Sequence, residues 1–126
     1  QNTMPYQKLD LEKVTLYGWE PVKSVKKIAK MVEGVLLGEE IPPVQILNTS
    51  QGLILDPFHI INQGSIALAD GGHNRALAHY ILGVPLMARI MNSNRPHKRR
   101  LIPISEIELR NLPEMYSRRN SRGFYR

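Results

Sequence analysis

Five consecutive residues, Gly71-Gly72-His73-Asn74-Arg75, have the types and the order needed to hold a phosphate at the start of a helix. The first N–H groups of a helix have no partner within it and sit at the positive end of its dipole, so an anion placed there gains several charge-assisted hydrogen bonds. Glycines let the backbone approach the anion and adopt positive φ, and Arg75 can fork onto two phosphate oxygens. His73 is a candidate for proton transfer or for a hydrogen bond to phosphate. Asp70, directly before the turn, is a candidate ligand for a divalent cation shared with those phosphates. Two glycines before a helix also serve as an ordinary turn, and an exposed histidine or a turn-satisfying aspartate fits the same positions; the residues alone leave both readings open. His59, His79 and His97 lack metal-ligand spacing, and His79, four residues after Arg75, reads as structural.

The turn needs a strand before it and a helix after it. Ser65 to Asp70 reads as a short buried strand, Asn74 to Leu82 as a helix closed by Gly83, and Val84 to Met91 as the returning strand. Upstream, Val22, Val25, Ile28, Ala29, Val32, Val35 and Leu36 recur at helical spacing, with Lys23, Lys26, Lys27 and Lys30 on the other face. This predicts an amphipathic helix with Pro21 at its first position and Gly38 just past its last. Pro42 and Pro43 argue for a strand that starts at Val44 or lies at an edge, Ser50-Gln51-Gly52 is a turn, Leu53 to Leu55 a second short strand, and Asp56-Pro57 a break. A further short strand is expected among Leu9, Leu11, Val14, Leu16 and Tyr17. Trp19 reads as a core or edge anchor. Ile102 to Leu112 are read as a short helix. The expected fold is α/β (α+β), a small mixed sheet with helices.

Together these pieces resemble the ParB/sulfiredoxin-like superfamily. The segment Ala67-Leu68-Ala69-Asp70-Gly71-Gly72-His73-Asn74-Arg75-Ala76-Leu77-Ala78, followed by Leu82-Gly83-Val84-Pro85-Leu86-Met87-Ala88, is similar to the ParB-like domain in its apolar strand, Gly-x-x-Arg turn, Ala-rich helix, Leu-Gly end and proline-led strand. Ile41 to Ile46 resembles that family's second strand, and the likeness spans roughly residues 22 to 92. It implies that Gly72, His73, Asn74 and Arg75 contact the phosphates of a nucleotide; with Gly71 beside them the expected ligand is a nucleoside triphosphate or diphosphate, and Asp70 is the residue expected to hold an accompanying Mg2+. Sulfiredoxin carries a reactive cysteine where His73 stands, and with no thiol in the chain that reduction is excluded. Relatives that phosphorylate free serine have Asp-Gly-His-His-Arg, against which Gly71 replaces the aspartate; a glutamate near Glu39 and Glu40 serves as their base, which makes Glu40 a third catalytic candidate beside His73 and Asp70. The resemblance implies a stand-alone ParB-like module of the kind described as nuclease-like. Its alternatives are a non-catalytic, nucleotide-switched module that binds DNA or protein, and a small-molecule kinase of the free-serine type.

The net charge of +6 is unevenly placed. Nine Lys/Arg against three Asp/Glu fall after residue 90, which accounts for the whole excess and leaves the body neutral. The expected division is therefore a domain at 1–92 and a basic extension at 93–126, partly helical and then flexible. Lys98, Arg99, Arg100, Arg118, Arg119 and Arg122 are candidates for phosphate contacts with DNA or RNA, with Tyr116, Phe124 and Tyr125 available for stacking. A solubilising tail has the same composition. The absence of cysteine removes disulfides, thiolate catalysis and Cys-based zinc sites, and with no apolar run near the ~20 residues of a membrane span, a cytoplasmic protein is expected. A homo-oligomer is compatible with these features.

Overall fold

The computed structural model describes residues 5–57, 61–63, 66–68 and 72–113, and it is an α+β fold. In chain order the elements are β1 (Tyr6–Leu9), β2 (Leu16–Gly18), β3 (Val22–Ser24), α1 (Val25–Leu36), β4 (Val44–Thr49), β5 (Gly52–Leu55), β6 (Ile61–Gln63), β7 (Ile66–Leu68), α2 (His73–Leu82), β8 (Leu86–Asn92), β9 (Ile102–Pro103), a 3-10 turn at Ile104–Glu106, and β10 (Glu108–Arg110). The main sheet runs β1-β8-β4-β5-β2-β9, with β4 parallel to β8 and β2 parallel to β5. β3 and β10 form a separate parallel pair, and β6 and β7 a hairpin.

Strand alternation sets the core. In β4, Val44 and Ile46 are buried while Gln45 and Leu47 are half-buried; in β8, Leu86 and Ala88 are buried and Met87 is exposed. Registers of Val44 with Ala88 and of Ile46 with Leu55 stack these side chains on one face. Against them pack Ile28 of α1, Ala76 and Leu77 of α2, and Ile104 and Ile107. Each fully buried Ile or Leu here contributes about 1.5–3 kcal/mol.

The first helix begins later than its periodicity predicts. Val22–Ser24 pair in parallel with Glu108–Arg110, so Ser24 rather than a residue beside Pro21 is the cap, and its side chain accepts from the Lys27 N–H. Lys23, expected on a solvated helix face, is buried on β3 with its Nζ 2.6 Å from Glu20. The far end follows expectation, with Gly38 at φ 77° and its N–H on the Val35 carbonyl.

Residues 102–112 are not a helix. Ile102 pairs with Gly18, Leu109 pairs with Lys23, and the 3-10 turn between them drops Ile104 and Ile107 into the core. Helix-like spacing of these isoleucines is met by that single turn. The folded body therefore continues to Arg110, past the division expected at residue 92. The strand expected near Leu9 to Tyr17 is two strands, β1 and β2, separated by a turn in which Asp10 Oδ1 accepts from the Glu12 N–H. Of the strand expected at Ser65 to Asp70, the described residues Ile66–Leu68 pair with β6 rather than joining the main sheet. Among the described residues no helix is long and apolar enough to cross a membrane.

Candidate functional site

Gly72 caps α2 with φ 91° and ψ 10°, the left-handed region that favours glycine. A Cβ there would lie 2.6 Å from Val44 Cγ1, so β4 also forbids any side chain. The Gly72 carbonyl accepts from the Ala76 N–H at 2.9 Å, which closes the first helical turn. Among the described residues no side chain caps this end, and the first turn of α2 holds no acid of its own. Gly72→Ala is expected to destabilise the fold by about 2–4 kcal/mol, combining left-handed strain with overpacking against Val44. Urea unfolding measures it.

Arg75 is 5% exposed. Its Nη1 donates to the carbonyls of Pro42 (3.1 Å) and Pro43 (2.9 Å), immediately before β4. Nη2 lies 3.4 Å from where a Gly72 Cβ would be, so the guanidinium is held beside the turn. Buried cations require such partners, and charge-assisted bonds to carbonyls supply them. The two prolines thus do more than delay a strand, since their carbonyls orient the arginine. Periodicity offers no signal for that role.

His73 has no exposed surface. Its Nε2 accepts from the backbone N–H groups of Trp19 (3.1 Å) and Glu20 (3.3 Å), which assigns the proton of the neutral ring to Nδ1. The ring meets Trp19 in a T-shaped contact at 4.5 Å. A Cβ on Gly18 would lie 2.5 Å from Nε2, so β2 ends in glycine to admit the imidazole. Through these contacts the side chain clamps the first residue of α2 to the end of β2. Nε2 cannot act as a base while it accepts these two amides.

Asn74 Oδ1, one residue on, is a buried atom without a hydrogen-bond partner. Glu40 is exposed in the loop between α1 and β4, two residues before the Pro42 carbonyl that binds Arg75. Asp70 and Gly71 lie outside the described residues, as do Arg118, Arg119, Arg122, Tyr116, Phe124 and Tyr125. Lys98, Arg99 and Arg100 are exposed, and Arg99 lies over the Trp19 ring at 5.2 Å. Among the described residues no group of three His, Asp or Glu could hold a metal.

Sequence reading passed over Asp56, a carboxylate just beyond β5 that is 7% exposed and accepts from Gln45 Nε2 at 2.9 Å. Only its place before Pro57 hinted at a fixed position. His79, half-buried on α2, has a ring nitrogen 3.0 Å from the Pro85 carbonyl, and burial lowers its pKa below 6.5. The charged form is disfavoured in the folded state, so this contribution to stability is complete above pH 6.5 and is lost as pH falls through 6.5 toward the lower folded value. Thermal unfolding across that window should show a shallower acid decline for His79→Gln than for the wild type.

A cavity of about 160 Å³ lies near the other end of α2, lined by Glu12, Lys13, Thr15, Tyr80 and Ser105 among others. It is smaller than the ~300 Å³ at which ligand pockets begin and does not include the turn. No family model, curated protein or solved structure significantly matches this chain.

Proposed function

We propose that this chain is a ParB/sulfiredoxin-like module that binds the phosphates of a nucleoside triphosphate or diphosphate at the start of α2 and acts on or along nucleic acid. Arg75 carries the reading. A buried guanidinium, oriented by two proline carbonyls and placed beside a left-handed glycine at a helix N-terminus, is a preorganised fork at a point where the backbone already favours anions. In this reading the amides at the turn and Arg75 grip the phosphates. Asn74 adds a side-chain amide whose unpartnered atom becomes a donor when the group is flipped. His73 holds the turn in place. Mg2+ would be carried mainly by the phosphates with Asp70 as its protein ligand, in keeping with the few protein contacts that ion needs. The exposed Lys98, Arg99 and Arg100 would hold a polynucleotide through sequence-independent phosphate contacts.

The favoured activity is metal-dependent phosphodiester cleavage. The commitment of His73 Nε2 to two backbone amides favours a second reading, a non-catalytic module whose hold on DNA or a protein is switched by nucleotide. Plasmid cleavage assayed with Mg2+ and each nucleotide separates them. Cleavage that Asp70→Ala loses while nucleotide binding persists is the expected result for the enzyme. Nucleotide binding without cleavage by the wild type selects the switch.

A further inference from the structure

The path of residues 93–101 follows from the order of the sheet. β8 ends beside β4 and β9 lies beyond β2 at the far edge, so the segment joining them must pass β4, β5 and β2. It is fixed along the way. The Ser93 N–H donates to the Asn48 carbonyl at 3.0 Å, the His97 N–H to Gln51 Oε1 at 3.3 Å, and the Arg99 N–H to His97 Nδ1 at 3.2 Å. The His97 ring lies 5.6 Å from the Trp19 indole, and the Arg99 guanidinium lies over the same indole. Because Trp19 also meets His73, one aromatic ring ties this strap to the start of α2.

The strap displays charge that no carboxylate among the described residues neutralises. Arg95, Lys98, Arg99 and Arg100 are exposed and have no carboxylate partner among the described residues, whereas Lys13, Lys23 and Arg110 each have one. No Asp or Glu occurs between residues 93 and 105. His97 adds an unmet need: in the tautomer whose Nδ1 accepts from the Arg99 N–H, the ring proton sits on Nε2, a buried atom with no hydrogen-bond partner. An anion arriving at Arg99 would bring acceptor oxygens to that region.

We infer that residues 93–101 are a preordered seat for the phosphate backbone of a single-stranded nucleic acid, joined to the α2 turn through Trp19. The inference rests on the nucleic-acid part of the proposed function and moves the principal contact from the terminal arginines to the strap. The segment is irregular, so it offers neither the helix nor the β-ribbon that enters a duplex groove, and a line of cations suits a strand that can follow it. Ser93, Asn94, Arg95, Pro96, His97 and Lys98 present no large apolar side chain to enter a lipid surface, which favours a polynucleotide over a membrane.

The test is fluorescence anisotropy of a labelled oligothymidine with the full chain, over a range of salt. The combined Arg95→Gln, Lys98→Gln, Arg99→Gln, Arg100→Gln variant should bind at least about a hundredfold more weakly at low salt, with the slope of log K against log salt reduced by about 3. Because Arg99 also rests on Trp19, a Lys98→Gln, Arg100→Gln variant that leaves that contact intact is expected to lose about 1.4 of the slope. The Arg118→Gln, Arg119→Gln, Arg122→Gln variant should change less than either. Trp19, the sole tryptophan, should change its emission as the oligonucleotide binds. Wild-type affinity and slope in the folded strap variants, or unchanged Trp19 emission at saturation, would overturn the seat while leaving nucleic-acid binding intact. Tighter binding of duplex than of single strand would overturn the choice of strand. No binding by the wild type would overturn the nucleic-acid reading itself, with nucleotide binding judged separately through Arg75.

Discussion

Arg75→Ala is expected to abolish the proposed nucleotide binding and also to weaken the fold. Loss of a charge-assisted fork on phosphate is expected to reduce affinity about a hundredfold or more, the equivalent of ~3 kcal/mol. The same change removes the donor that serves the Pro42 and Pro43 carbonyls, and it empties space beside Gly72 and Val44. The expected loss of stability is about 2–4 kcal/mol. Arg75→Lys separates the two effects. Lysine keeps the charge but lacks the planar fork, so it should preserve more of the fold than alanine while still binding nucleotide at least about tenfold more weakly than wild type. Denaturant unfolding beside ligand titration of each variant gives both quantities, and far-UV circular dichroism establishes that the titrated protein is folded.

His73→Ala produces the largest loss of stability among the site variants, about 3–5 kcal/mol. Two backbone N–H groups, of Trp19 and Glu20, lose their acceptor, and the imidazole that fills the gap above Gly18 and meets the indole of Trp19 is gone. His73→Gln restores an acceptor of similar reach and should recover part of the loss. If His73 acts only through position, the folded glutamine variant binds nucleotide within about threefold of wild type, well under the ~1.4 kcal/mol that a tenfold change would need. A stable His73→Ala protein would contradict the clamp. A stable His73→Gln protein that had lost cleavage would return the residue to proton transfer.

These two residues show how far the sequence could be read. The turn was legible because its physics is local: two glycines ahead of a helix pattern and an arginine one step inside it need no knowledge of the rest of the chain. What Arg75 and His73 do with their nitrogens was not legible, because their partners are carbonyls before β4 and amides after β2, brought together only by the fold. The helix ends at Gly38 and Gly83 were readable for the same local reason, each having positive φ. Ser24 displaced Pro21 as the helix start because Val22–Ser24 is claimed by β10, a pairing that periodicity cannot see. Ile102 to Leu112 failed similarly, its isoleucine spacing being satisfied by a 3-10 turn between two strands. The strap was visible only as charge; its attachment to Trp19 depends on the order of strands in the sheet.

The most direct test of the account is calorimetric titration of ATP, CTP, GTP and ADP, each with magnesium, into the intact protein and into Arg75→Ala. At least one nucleotide is expected to bind the wild type with micromolar affinity, and the folded Arg75→Ala protein to bind none measurably. Failure of the folded wild type to bind any of the four, or binding that survives the loss of Arg75, would contradict it.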